Sequence, residues 1–127
     1  MPIAAWCLLI VVLMPVLVVG YAKAGAGYDN HEPRLWMQTL QGAKRRAYAA
    51  HINCFEAVPV FLACLFVAVW TDGSPWIVDL LAALFVLFRL GYVMAYIADM
   101  PSPRSILWSL AYLCALGIFL SGLMPWL

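Results

Sequence analysis

Four long apolar segments, separated by short polar ones, set the predicted architecture of this chain. They cover about residues 3–22, 43–70, 75–98 and 103–124. Each is long enough for a membrane-spanning helix, which needs about 20 apolar residues. The pattern therefore predicts an all-α membrane protein, with residues 1–127 forming a single domain built as a four-transmembrane-helix bundle.

Prolines and small polar residues refine these boundaries. Pro15 and Pro59 lie inside apolar segments, where membrane helices tolerate proline. The long polar connection at residues 23–41 contains Pro33, a residue that fits the first turn of a helix, so a short interfacial helix is predicted at residues 34–40. A turn is predicted at residues 71–75, which read T-D-G-S-P, and a tight loop at residues 100–103.

Composition places the whole chain in the membrane. Of its 127 residues, 67% are hydrophobic and 10% are charged, whereas soluble domains carry about 25% charged residues. A net charge of +1 without a basic run among aromatics argues against nucleic acid as a partner. The four cysteines lie in apolar segments without metal-ligand spacing, so we expect free thiols and no metal site. They are Cys7, Cys54, Cys64 and Cys114.

The positions of the basic residues predict the orientation. All of them except Arg89 lie in or beside the first and third connections, and the second connection has none. By the positive-inside rule, both of these connections face the cytoplasm and both termini face the opposite side.

The second apolar segment begins with an unusual polar stripe. Residues 45–61 read R-R-A-Y-A-A-H-I-N-C-F-E-A-V-P-V-F. At about 100° per residue, Arg46, Asn53 and Glu56 fall within about 80° of one another on a helix, whereas His51 points elsewhere and is expected to be packed or interfacial. An ionisable side chain at the centre of a bilayer costs about 2.5 kcal/mol or more, so this stripe is a candidate functional site.

A second stripe occupies the third segment and ends near Arg104. Its members recur at three- and four-residue intervals and are Arg89, Tyr92, Tyr96 and Asp99. Together the two stripes suit a small anionic, peptide-like ligand, because arginines bind carboxylates bidentately. The alternative is that Arg46 with Glu56, or Arg89 with Asp99, neutralise one another within or between subunits. The expected buried partner of Arg89 is Glu56.

Three motifs in these segments resemble the MAPEG family, the membrane-associated proteins in eicosanoid and glutathione metabolism. They are A-H-x-N-x-x-E at residues 50–56 followed by Pro59, R-x-x-Y-x-x-x-Y at residues 89–96, and P-R-S at residues 103–105. The resemblance covers almost the whole chain and suggests a bacterial-type member. It implies a homotrimer in the bacterial inner membrane, with glutathione as co-substrate between subunits near the cytoplasmic side.

The resemblance also implies roles for particular residues. Arg104 matches an arginine that stabilises the glutathione thiolate, which a nearby guanidinium favours, and Ser105 matches a proposed hydrogen-bond donor to the thiol. Glutathione contacts are implied for Asn53, Glu56, Arg89 and Tyr96. The polar stripes add Arg46 and Tyr92 to the expected binding set.

Three positions depart from the pattern of glutathione-dependent members. Ala49 and Ile52 stand where those members have arginine, and Trp108 stands where a tyrosine is expected. Two hypotheses therefore remain open: a transferase or peroxidase acting on small lipophilic electrophiles from the bilayer, or a non-catalytic lipid-binding or scaffold protein whose polar stripes serve trimer assembly. A proton-coupled transporter is disfavoured, because the chain shows neither a broken helix nor an internal repeat.

Overall fold

The computed structural model describes residues 1–25 and 27–124, and within them the chain is helical without strands. Four of its helices are long and apolar enough to cross a membrane, which confirms the predicted all-α membrane architecture. The fifth is the short helix predicted in the first connection. In chain order the helices are α1 (Pro2–Lys23), α2 (Pro33–Gln38), α3 (Gly42–Trp70), α4 (Pro75–Ile97) and α5 (Pro101–Leu123).

The connection before α5 is shorter than the sequence predicts. Pro101 already occupies the first turn of the helix, where its missing N–H costs nothing. The chain reverses over residues 98–100, with Asp99 in the left-handed region at φ 61°. The predicted loop at residues 100–103 is therefore wrong, and α5 begins two residues earlier than expected.

The bundle core is built from aromatic stacking and small residues. Phe61 of α3 stacks on Phe85 of α4 at 4.3 Å between ring centroids, and both side chains are buried. Close helix approach is easiest where side chains are small, and Ala57, Ala82 and Ala111 are buried in the same cluster. The most extensive helix pairs are α4 with α5 and α1 with α3.

Two side chains of α3 donate hydrogen bonds to backbone carbonyls at the C-termini of neighbouring helices. Lys44 Nζ donates to the Tyr21 carbonyl of α1 at 2.6 Å, and Arg46 Nε donates to the Ile97 carbonyl of α4 at 3.0 Å. Cations are favourable at these negative dipole ends. The first turns of α3 are thus hydrogen-bonded to the C-termini of both α1 and α4, at the end of the bundle where α5 begins.

The opposite end carries exposed tryptophans. Trp6, Trp70 and Trp76 are 68%, 77% and 72% exposed and lie at the start of α1, the end of α3 and the start of α4. This arrangement is typical of an aromatic belt at a membrane interface. Trp126, which belongs to the same belt in the sequence, lies outside the described residues.

Candidate functional site

A buried arginine lies at the contact between α3 and α4. Arg89 is 1% exposed. Its Nη2 donates to Asn53 Oδ1 at 2.9 Å and lies 3.7 Å from Cys54 Sγ. Its Nη1 has no hydrogen-bond partner among the described residues. The guanidinium therefore joins the two predicted polar stripes.

Asn53, which accepts this hydrogen bond from Arg89, is also bonded to Glu56. Its Nδ2 donates to Glu56 Oε2 at 3.0 Å, so its amide bridges a cation and a carboxylate. The expected direct pairing of Arg89 with Glu56 is therefore wrong. The physical reason is that the asparagine amide, lying one turn before Glu56, can both accept and donate. We call Arg89, Asn53 and Glu56 the α3–α4 relay.

A ladder of cations and aromatic rings continues from the relay to α5. The Arg89 guanidinium carbon lies 4.4 Å from the Tyr92 ring centroid. Tyr92 meets Tyr96 edge-on at 5.7 Å, and the Arg104 guanidinium carbon lies 4.5 Å from the Tyr96 centroid. Such cation–ring contacts are attractive, and more so where water is excluded. The sequence-predicted residues Arg89, Tyr92, Tyr96 and Arg104 are thus brought together.

The two remaining candidates lie at the edge of this arrangement. Arg46 Nε donates to the Ile97 carbonyl at the end of α4, and among the described residues Arg46 forms no hydrogen bond or ion pair with the relay. Ser105 is exposed beside Arg104, and its carbonyl accepts a hydrogen bond from Ser109 Oγ at 3.0 Å. The serine hydroxyl is therefore accessible, whereas the Arg46 side chain is already engaged.

Neither neutralising pair considered above forms within the described chain. Among residues 1–25 and 27–124, the one ion pair joins the Met1 ammonium to Asp79 at 3.8 Å. Arg46 and Arg89 instead find backbone and amide oxygens. Within one chain, the polar stripes are therefore not explained by mutual charge neutralisation.

Burial divides the candidate residues into a supporting layer and a surface layer. Arg89 is buried, and Tyr92 is only 5% exposed. Asn53, Tyr96 and Arg104 are partly exposed, and Glu56 is exposed. A ligand at the surface would meet the second group, held in place by the first.

The outer face of α3 places this carboxylate among apolar side chains. Ile52 and Phe55, which flank Glu56 along the helix, are 43% and 54% exposed. A carboxylate facing hydrocarbon is unfavourable. A polar ligand or a protein partner therefore suits this face of α3 better than hydrocarbon does.

Comparison with protein-family models identifies the family of the chain. The model of the MAPEG family matches residues 3–124. The chain belongs to the MAPEG family. Membership supports, at the level of the family, a membrane function connected with glutathione. No curated protein sequence matches this MAPEG chain.

Two of the three departures of this MAPEG protein, Ala49 and Ile52, lie on α3 within one turn of Asn53. Ala49 is half-buried, and Ile52 exposes 43% of its surface. Neither offers a charge next to Asn53. The cations of α3 lie nearer its start, and Arg46 among them already caps α4. Arg104 is thus the partly exposed arginine that meets the ladder.

A groove between α3 and α5 begins one turn beyond Arg104. It encloses about 540 Å³, and its lining includes Val60, Cys64, Trp108 and Tyr112. Trp108 stacks on Tyr112 at 4.3 Å between ring centroids. Sequence reasoning did not identify this groove. The available signal was an aromatic pair four residues apart on α5, following Arg104.

His51 does not belong to the α3–α4 relay. Its Nδ1 lies 2.7 Å from the Pro15 carbonyl of α1, and its ring contacts Tyr48 and Phe55 at centroid distances of 5.9 and 5.0 Å. The prediction that His51 points away from the polar stripe and is packed or interfacial is confirmed.

Proposed function

We propose that this protein is a membrane-embedded, glutathione-dependent transferase or peroxidase that acts on lipophilic electrophiles. Glutathione binds as co-substrate between subunits of a homotrimer, near the cytoplasmic side of a bacterial inner membrane. The observation that carries the proposal is the α3–α4 relay, in which a buried guanidinium holds Asn53 and an exposed Glu56 carboxylate in place.

The surface groups fit the polar groups of glutathione. The tripeptide has an ammonium group, two carboxylates, two peptide groups and a thiol. Glu56 suits the ammonium, and the Asn53 amide and the Tyr96 hydroxyl suit peptide groups. Arg104 suits the sulfur or a carboxylate, because a guanidinium donates charge-assisted hydrogen bonds to anions.

The chemistry follows from ionisation of the thiol. The thiolate is the nucleophile, and a cation beside the sulfur favours the ionised form. Arg104 supplies this charge, while the exposed Ser105 hydroxyl donates a hydrogen bond to the sulfur. The thiolate then attacks an electrophilic carbon held in the groove beside Trp108, and a C–S bond forms as the leaving group departs with its electron pair. With a lipid hydroperoxide, the thiolate instead attacks the terminal oxygen and breaks the O–O bond, which gives an alkoxide that water protonates and glutathione sulfenic acid. A second glutathione then condenses with the sulfenic acid to give the disulfide and water.

The homotrimer completes the site. Glu56 and Asn53 lie on a face of α3 where the flanking residues Ile52 and Phe55 are exposed in the protomer. A second copy of the chain is the cover proposed for this face, because it can bury the apolar side chains and enclose the carboxylate in a polar cleft. The cleft then opens toward the cytoplasm, where glutathione is dissolved.

Titration calorimetry with glutathione tests this proposal, using the detergent-purified protein together with ultraviolet absorbance of the bound thiolate. S-methylglutathione is the matched control, because it has the same peptide but cannot ionise at sulfur. We expect both ligands to bind and only glutathione to give the thiolate band. Arg104→Ala should retain binding and lose the band. Absence of binding at millimolar glutathione would overturn the proposal.

A second candidate function is a non-catalytic lipid-binding or scaffold protein. It is favoured by Ala49 and Ile52, which offer no cation on α3 next to Asn53, and by Arg46, which is already bonded to the α4 terminus. In this case the relay serves assembly alone. Glu56→Gln or Arg89→Leu should then dissociate the oligomer, measured by light scattering, while the unaltered protein never ionises a thiol.

A further inference from the structure

A recess lined by both polar and apolar side chains lies between α1, α2 and α3, apart from the α3–α4 relay. It encloses about 310 Å³. Its lining combines basic, aromatic and apolar side chains, chiefly Val19, Lys23, Arg34, Met37, Tyr48 and His51. Because none of these residues belongs to the relay or to the aromatic ladder, the recess is a separate feature of the molecule.

The recess is positively charged. Lys23 and Arg34 contribute two cations, and its lining includes no carboxylate from residues 1–25 or 27–124. Lys23 Nζ lies 4.4 Å from the Tyr28 ring centroid, a contact that orients the ammonium without neutralising it. Neither cation forms an ion pair within the part of the chain that the structure describes. An anion is therefore the ligand class that complements this charge.

His51 adds to the lining of the recess a hydrogen-bonding group that is held in place by α1. The Pro15 carbonyl can only accept a hydrogen bond, so the 2.7 Å contact places a proton on His51 Nδ1. In the neutral form of a ring with its proton on Nδ1, Nε2 is an acceptor. Tyr48, stacked on the same ring, supplies a phenolic hydroxyl. A ligand that carries both an anionic group and a hydroxyl donor can bind the two cations, Lys23 and Arg34, and also the acceptor on His51.

The position of the recess favours a lipid over a soluble anion. Lys23 ends the first spanning helix and Arg34 lies on the short α2 beyond it, so a bilayer spanned by α1 is expected to bring its phosphates near these cations. Val19 and Met37 contribute apolar side chains to the same lining. Basic pockets at the ends of spanning helices are known to bind anionic headgroups.

We propose that this recess binds the headgroup of an anionic phospholipid that carries a free hydroxyl, such as phosphatidylglycerol. Lys23 and Arg34 hold the phosphodiester, His51 Nε2 accepts a hydrogen bond from the headgroup hydroxyl, and Val19 and Met37 contact the start of the acyl chains. The proposal does not depend on glutathione binding at the relay.

Native mass spectrometry of the full-length protein in detergent, titrated with defined lipids, tests the proposal. We expect one phosphatidylglycerol per chain and much weaker binding of phosphatidylcholine. Arg34→Gln should weaken phosphatidylglycerol binding about fivefold, as expected for one basic residue at a headgroup. Arg45→Gln is the matched control, because Arg45 is also an exposed arginine near the membrane surface but does not line the recess. It should change binding less than twofold.

Phosphatidylmethanol tests the hydroxyl, since it has the same charge as phosphatidylglycerol but no headgroup hydroxyl. We expect it to bind about two- to tenfold more weakly, the usual worth of one hydrogen bond. Equal binding of the two lipids would overturn the assignment of the headgroup class. Equal losses in Arg34→Gln and Arg45→Gln would show diffuse attraction instead of a site. Displacement of the lipid by millimolar phosphate or glutathione would assign the recess to a soluble anion, and would also overturn the proposal.

Discussion

The amide of Asn53 stands between the guanidinium of Arg89 and the carboxylate of Glu56. It accepts a hydrogen bond from Arg89 at 2.9 Å and donates one to Glu56 at 3.0 Å. A direct ion pair at this depth would have to overcome the desolvation of both charges. The interposed amide instead leaves the carboxylate at the surface, where it can meet a ligand or a neighbouring subunit.

This relationship predicts that Asn53→Leu destabilises the protein. The substitution removes both hydrogen bonds and leaves a charged group of Arg89 buried without this partner, at an expected cost of about 1–3 kcal/mol. Denaturant unfolding in micelles measures the change. Glu56→Gln is the control, because its side-chain carbonyl can still accept from Asn53, and it should cost less than about 1 kcal/mol. Equal stability of the Asn53→Leu and unaltered proteins would contradict the structural role of the relay.

The relay also shows how far sequence reasoning can reach. The helical spacing of Arg46, Asn53 and Glu56 predicts a shared face, because periodicity depends only on the helix. It cannot predict the partner of Arg89, which depends on the rotation and depth of α4 against α3. For the same reason Arg46 was expected in the binding set, whereas its side chain reaches the Ile97 carbonyl on the neighbouring helix.

A second prediction concerns Asp79, which holds the start of α1. Its Oδ1 accepts a hydrogen bond from the Ala4 backbone N–H at 2.8 Å, and so satisfies a free donor in the first turn of the helix. Asp79→Leu should lower the free energy of unfolding by about 0.5–2 kcal/mol, as for the loss of an N-terminal cap. Asp79→Asn keeps an acceptor oxygen and should cost less. Thermal unfolding of both variants in detergent distinguishes them, and equal melting temperatures for the two would argue against the hydrogen bond.

A third prediction tests the close approach of backbones near the α5 terminus. A Cβ atom at Gly122 would clash with Thr71 Oγ1 and lie 2.9 Å from Ala68 Cα. Gly122→Ala should therefore force the helices apart and destabilise the bundle by about 1–3 kcal/mol. Gly20→Ala is the matched control, because a Cβ there meets nothing within 4 Å. Its better helix propensity should leave stability unchanged or slightly raised. Similar melting temperatures for the two variants would contradict the packing.

The helices themselves were predictable because their cause is local. A run of about 20 apolar residues must satisfy its own backbone in lipid, and a helix does so within one segment. The start of α5 and the groove beside Trp108 were not predictable. The first depends on the turn in which Asp99 adopts a positive φ, and the second on how α3 and α5 diverge in space.

A fourth prediction concerns Tyr96, whose ring lies under the Arg104 guanidinium. Tyr96→Leu removes the cation–ring contact and should let Arg104 move away from the sulfur. Bound glutathione should then ionise at a higher pH, because less positive charge stabilises the thiolate. Tyr96→Phe keeps the ring and should leave the ionisation midpoint unchanged. A pH titration of the thiolate absorbance compares them, and an identical midpoint in the leucine variant would show that Tyr96 does not position Arg104.

A fifth prediction restores a charge to the surface layer of the site. Ala49 is half-buried on α3, one turn before Asn53, and holds a position where glutathione-dependent relatives are expected to carry arginine. If glutathione binds beside the relay, Ala49→Arg should add a charge-assisted hydrogen bond to a carboxylate and raise affinity about tenfold or more. Ala49→Gln is the control, because it adds a polar side chain without charge and should change affinity much less. Calorimetry measures both.

The result separates two readings of this face of α3. A gain with arginine that high salt weakens would mean that the lost cation limits binding of the co-substrate, since screening reduces partly exposed charge pairs. No gain, in a variant that keeps its oligomeric state and melting temperature, would mean that no glutathione carboxylate comes near Ala49. The relay would then serve assembly, and the lipid-binding or scaffold function would be the better account of the polar stripes.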